Sequence, residues 1–131
     1  MDTPYSILQP STGNILLYLN KVDFRVVSVG EIMFFHYDDK NRAWSATVLG
    51  LPSVNENSTV TIMLRNRVTS TDILRLAPQL VQVHQRWIVN IDKVERVCDN
   101  RCHFKPPCHQ LAPVPVSHHY LRQITMRFPA L

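Results

Sequence analysis

The chain has 131 residues, 45% of them hydrophobic and 18% charged, with a formal net charge of +4. That length supports one hydrophobic core and is short for two ordinary domains, so a single domain with ragged ends is expected. No apolar run approaches the length of a membrane span, and Met1-Asp2-Thr3-Pro4-Tyr5-Ser6 lacks the basic start and apolar stretch of a secretory signal, which makes a cytoplasmic protein the expectation.

Charge is placed unevenly. From Arg65 onward ten basic residues stand against four acidic ones, whereas residues 1–64 hold four basic and six acidic. A basic half suits a polyanionic partner, although scattered positive charge also serves solubility alone. Cys98, Cys102 and Cys108 cannot all pair within one chain, and a reducing compartment would keep them as thiols.

In chain order, residues 1–13 carry Pro4 and Pro10 among small polar residues and read as a tail or linker, the place of any join to a larger protein. Ile15 to Leu19 and Phe24 to Val29 predict two strands joined by a polar turn, and Ile32 to Tyr37 a third. Asp38-Asp39-Lys40-Asn41-Arg42 is then a charged loop before a strand from Trp44 to Leu49. Residues 50–58 read as a loop, and Val60 to Leu64 as a strand. Ser70-Thr71-Asp72 offers an N-cap for a short helix through Ile73 to Ala77, which Pro78 stops.

The densest polar cluster follows. Leu80, Val81 and Val83 predict a strand, His84, Gln85 and Arg86 crowd together, and Ile88-Val89 resumes the apolar pattern. Three hydrogen-bonding side chains between two core anchors make a polar protrusion on rigid flanks. Val94 to Val97 is another strand, Asp99-Asn100-Arg101 a turn, and His103 to Lys105 a weak strand. Pro106, Pro107 and Pro113 bracket a segment in which pairing is doubtful. Tyr120 to Ile124 predicts a terminal helical turn with Leu121 and Ile124 as its buried face.

Val83-His84, Trp87-Ile88-Val89-Asn90 and Val94-Glu95-Arg96-Val97 together resemble the signature of LytTR-type DNA-binding domains. Val27 to Phe35 resembles that family's early strand, turn and aromatic strand, and Pro113 to Tyr120 its last strand and basic turn. The three pieces agree in order and spacing over about residues 15–125. The resemblance implies a mainly β fold, an elongated LytTR-like β-sheet domain with short helices over residues 14–131. It implies a bacterial transcription regulator that inserts loops into successive major grooves of double-stranded DNA. In the family, dimers bind direct repeats, and the domain commonly follows a receiver domain controlled by a sensor kinase. No receiver fits in this length, so a stand-alone regulator or an excised effector domain is expected. No cofactor is implied.

Site residues follow from the resemblance. Arg42 takes the base-reading position of the charged loop, with Lys40 on phosphate. Gln85 stands where the family has arginine or asparagine, and its amide can match the N6 and N7 edge of adenine. Arg86 replaces a phosphate-touching serine. His118 and His119 occupy the place where arginine is frequent, His119 as base reader, so affinity is expected to depend on pH. Arg122 is a further phosphate contact. His84 and Asn90 are expected to hold the segment by hydrogen bonds, with Ser117 supporting the terminal turn.

Other classes fare less well. Cys98, Cys102, His103, Cys108 and His109 are zinc-ligating types, but their irregular spacing repeats no paired or finger pattern. His36, Asp38 and Asp39 alternate across a strand and do not converge, and Gly13, Gly30 and Gly50 are too far apart for a phosphate loop, so catalysis is not expected. Stacking of single-stranded nucleic acid would need free aromatics, yet Phe34, Phe35, Trp44 and Phe104 follow strand periodicity and read as core. A β-rich protein-interaction module on the same scaffold, with weak or lost DNA binding, is the standing alternative.

Overall fold

Alternating apolar residues build the first hairpin, because a strand sends successive side chains to opposite faces. Strand β1 (Asn14–Tyr18) buries Ile15 and Leu17, and β2 (Phe24–Ser28) pairs with it antiparallel, Tyr18 opposite Phe24, and buries Val27. The computed structural model describes residues 13–50 and 59–131. The expected tail, Gly13 apart, and the expected loop, Gly50 apart, lie outside the described residues.

Ser28 then caps a single 3-10 turn, Val29–Glu31. Its hydroxyl accepts from the Gly30 N–H while the Glu31 carboxylate accepts from the Ser28 N–H. This corner feeds β3 (Ile32–Asp38), the middle strand of a five-stranded sheet. Strands β4 (Ala43–Leu49), β5 (Thr59–Met63), β6 (Leu80–His84) and β7 (Trp87–Asn90) complete it in the order β5-β4-β3-β7-β6, with every neighbouring pair antiparallel. A register shift in β3 between Ile32 and Phe34 sends Met33 and Phe34 to one face, with Ile32 and Phe35 on the other.

Helix α1 (Ser70–Leu74) is capped one residue before the expected Ser70-Thr71-Asp72 and ends earlier than Ala77. Thr69 is the N-cap: its hydroxyl accepts from the Asp72 N–H at 3.2 Å, and the Asp72 carboxylate accepts from the Thr69 N–H at 2.9 Å. A reciprocal pair satisfies two end donors at once, which a cap at Ser70 would forfeit.

The third sheet has the order β10-β9-β8, from β8 (Val94–Cys98), β9 (Arg101–Phe104) and β10 (Val114–Pro115). Asp99 and Asn100 both adopt positive φ, 54° and 59°, so two residues suffice for the hairpin turn. Arg101 therefore belongs to the strand, opposite Cys98, and not to the expected turn. The proline-rich link between β9 and β10 is long, and it returns through hydrogen bonds from the Cys108 N–H to Lys105 and from the Leu111 N–H to Cys108. After a 3-10 turn, His118–Tyr120, the chain enters α2 (Leu121–Thr125), which buries Ile124.

Both faces of the central sheet are covered. One core joins it to the β1–β2 hairpin and α1 through Ile15, Leu17, Phe35, Ile73 and Ile88; the other joins it to the third sheet and α2 through Met33, Val83, Phe104, Val114 and Ile124. This sandwich explains why β4 is buried on both faces, Ser45 and Thr47 included. Phe35 is fully buried, and truncating such a side chain to alanine costs about 3–5 kcal/mol. Cys102 and Cys108 are buried thiols and Cys98 is exposed; burial pushes the Cys102 thiol up to about 11, away from reactivity. Among the described residues, no three His, Cys, Asp or Glu side chains are grouped to hold a metal ion.

Candidate nucleic-acid interface

Antiparallel pairing of β3 with β7 sets His36 opposite Trp87, which brings the β3–β4 loop and the β6–β7 turn to the same end of the sheet. The Tyr37 N–H donates to the Arg86 carbonyl at 2.9 Å. Arg86 Nε also donates to Asp39 Oδ2 at 2.7 Å, an ion pair between the two loops. Tyr37, Asp39, Trp44, Gln85 and Arg86 line the cleft between them.

Within the β3–β4 loop, Asp38 accepts from the Lys40 N–H at 2.9 Å and from the Asn41 side-chain amide at 2.7 Å. These bonds, the Lys40 N–H foremost, hold its carboxyl below the usual carboxylate value. Asp38 thus faces the loop's own backbone and Asp39 faces Arg86. Neither neutralises Lys40 or Arg42, which are exposed and have no ion-pair partner among the described residues. Arg42 sits at φ 52°, in the left-handed region that non-glycine residues seldom occupy.

In the β6–β7 turn, Gln85 is exposed at the tip. His84 Nδ1 accepts from the Arg86 N–H at 3.0 Å, and the Gln82 amide donates to the carbonyls of His84 and Gln85. Below the turn, the His36 ring stacks on Trp87 with centroids 4.0 Å apart, and Trp87 in turn meets Phe34. Burial lowers the pKa of His36 from its ordinary value, against the opposing pull of Asp38 and Asp39. Asn90 lies at the far end of β7. It is buried, its amide donates to the carbonyls of Val29 and Ile32, both at 3.0 Å, and its oxygen accepts from the Asp92 N–H. It therefore anchors the strand and does not touch the turn.

The third segment runs along the outer edge of β6. The Ser117 N–H donates to the Val83 carbonyl at 2.8 Å, which places the His118–Tyr120 turn beside the end of the signature strand. The Ser117 hydroxyl makes no capping bond, so its hold on the turn comes through its backbone. His118, His119 and Arg122 are exposed, and the His119 ring meets Tyr120 edge-on.

Sequence reasoning missed three relationships within the site. Asp39 reads from sequence as an unfavourable charge, and only the pairing of β3 with β7 reveals its partner. Gln82 alternates into a partly exposed position, with no sequence cue that its amide would reach two turn carbonyls. His36 and Trp87 become neighbours solely through register.

Two loops at one end of an antiparallel sheet, with Ser117 bonded beside them at Val83 and helices of only five residues each, define a β domain whose exposed polar side chains at that end stand on loops. A family model described as LytTr DNA-binding domain matches residues 55–128, more than half of the chain, and the protein belongs to that family. Among solved structures the chain is similar to a LytTr DNA-binding domain of a response regulator from Bacillus cereus. The TM-score is 0.58 at 15% identity, over 88% of this chain and 96% of that one, a likeness of fold. No curated protein matches the chain. Among the described residues, no helix is long and apolar enough to cross a membrane.

Proposed function

We propose that the protein binds double-stranded DNA sequence-specifically, by loops entering successive major grooves, and regulates transcription in a bacterial cytoplasm. The observation that carries this reading is that the Asp39–Arg42 loop and the Gln85–Arg86 turn share one end of the central sheet, with Ser117, the start of the Ser117–Arg122 segment, bonded to Val83 beside them. Loops on strand ends are held more firmly than free loops, as a base reader requires. Arg42, Gln85 and His119 are the base readers in this proposal. Lys40, Arg86, His118 and Arg122 contact phosphate, and each cation so used adds to the salt dependence of binding. Direct repeats as the target, dimers on DNA, and control by a receiver domain and its kinase belong to the same proposal.

One observation favours the alternative of a protein-interaction module with weak DNA binding: the Arg86 guanidinium is already paired with Asp39. Selection of bound duplexes from a random pool, at near-physiological salt, decides between the two. A recovered motif whose binding Gln85→Ala weakens, with binding to unrelated duplex unchanged, supports base reading at Gln85. Recovery of no motif, with residual binding that vanishes at moderate salt, gives first place to the interaction module.

A further inference from the structure

The Asp39–Arg86 pair joins loops whose members are 47 residues apart in sequence. Each loop is already braced internally: Asp38 ties the first to its own backbone, and His84 and Gln82 tie the second. Between the loops, one backbone bond from Tyr37 to Arg86 and this one ion pair make the connection among the described residues.

Two features make the pair informative. Its side chains are 43% and 64% exposed, so it adds little to folding stability. A carboxylate at the rim of a DNA-facing surface also repels phosphate. An acid that adds little to the fold and does not attract the ligand, yet bridges the two loops, is placed to set their geometry. Its partner is suited to that role, because an arginine engaged through Nε keeps its terminal nitrogens for a second acceptor.

We infer that Asp39 and Arg86 are a positioning pair that fixes the offset between Arg42 and Gln85, so that discrimination between DNA sequences depends on the pair. This rests on the proposed reading of the site. The two loops then act as one reading unit, and a base change under either is felt by both.

The test compares the full chain with Asp39→Asn, Arg86→Gln and the double variant. Binding is measured by fluorescence anisotropy against a duplex carrying the selected motif and against a scrambled duplex. The readout is the ratio of the two affinities, from which sequence-independent phosphate attraction cancels. Asp39→Asn is expected to lower that ratio by up to about fivefold, the most that an exposed ion pair can hold in place, while affinity for scrambled duplex holds or rises. The double variant is expected to lose no more of the ratio than either single one, since a broken link cannot be broken twice. An Asp39→Asn protein that binds both duplexes equally more tightly overturns the inference and leaves two independent charges. Losses of ratio that add in the double variant overturn it too. A wild-type chain that prefers no motif removes the base-reading proposal and the pair together, whereas a preference that survives intact in Asp39→Asn removes the pair alone.

Discussion

The Asn90 side-chain amide donates to the Ile32 carbonyl at 3.0 Å, tying the end of β7 to the start of β3 across 58 residues of sequence. The same amide also serves the Val29 carbonyl, and its oxygen caps the 3-10 turn that follows at Asp92. A buried group with all three bonds made is inexpensive to bury, and removing it leaves the two carbonyls without their amide donor. Asn90→Ala is therefore expected to destabilise the fold by about 2–3 kcal/mol, read as a lower urea midpoint. Asn90→Asp should cost at least as much, because a carboxylate would face two carbonyl oxygens. A midpoint within error of wild type in both variants would remove Asn90 from its anchoring role.

Thr69 and Ser70 compete for the cap of α1, and the reciprocal bonds with Asp72 assign it to Thr69. Thr69→Ala is expected to cost about 1 kcal/mol and Ser70→Ala under about 0.5 kcal/mol, both by denaturant unfolding. Equal losses would contradict the assignment.

Local signals explain how much of this was legible in the sequence. Alternation at Ile15, Leu17 and Val27 is a period-two pattern, and β3, β4 and β6 are short apolar stretches; both kinds are readable without knowing what they pack against. The hairpin at Asp99-Asn100 announces itself because those residue types tolerate positive φ. Boundaries slip where capping residue types adjoin: Ser70-Thr71-Asp72 is the expected cap and Thr69 is the observed one, since the choice depends on a reciprocal bond. The loops of the candidate site were readable as polar protrusions, and resemblance supplied their roles. What joins them was not readable: the Asp39–Arg86 bond and the His36–Trp87 stack depend on which strands are neighbours, and strand order β5-β4-β3-β7-β6 leaves no local trace in sequence.

Arg42 holds a left-handed backbone conformation, φ 52°, at the last position of a loop proposed to read bases. Strain of this kind persists only where the surrounding structure holds it in place, and it clusters at functional sites. Arg42→Gly should relieve it and raise stability by about 0.5–1 kcal/mol, while affinity for the selected duplex falls. Thermal unfolding and anisotropy on the same preparation check both signs. A variant that is more stable and binds as well as wild type would exclude Arg42 as a DNA contact.

His36 should make stability depend on pH in the mildly acidic range. Burial lowers its pKa in the folded state; Asp38 and Asp39 pull the other way, and Arg86 and His84 add to the lowering. As pH falls below about 6.5, the unfolded chain takes up this proton before the folded one does, so the folded state loses stability. Above that pH the residue is neutral in both states and contributes no slope. Asp38 and Asp72, held below their usual values by hydrogen bonds, lose their contributions only nearer about pH 4 or lower, which separates the two windows. His36→Phe keeps a ring against Trp87 and removes the titration. Between about pH 7.5 and 5.5 the wild-type melting temperature is expected to fall further than that of His36→Phe. If both fall equally, the acid sensitivity belongs to another group and the His36–Trp87 stack has no part in it.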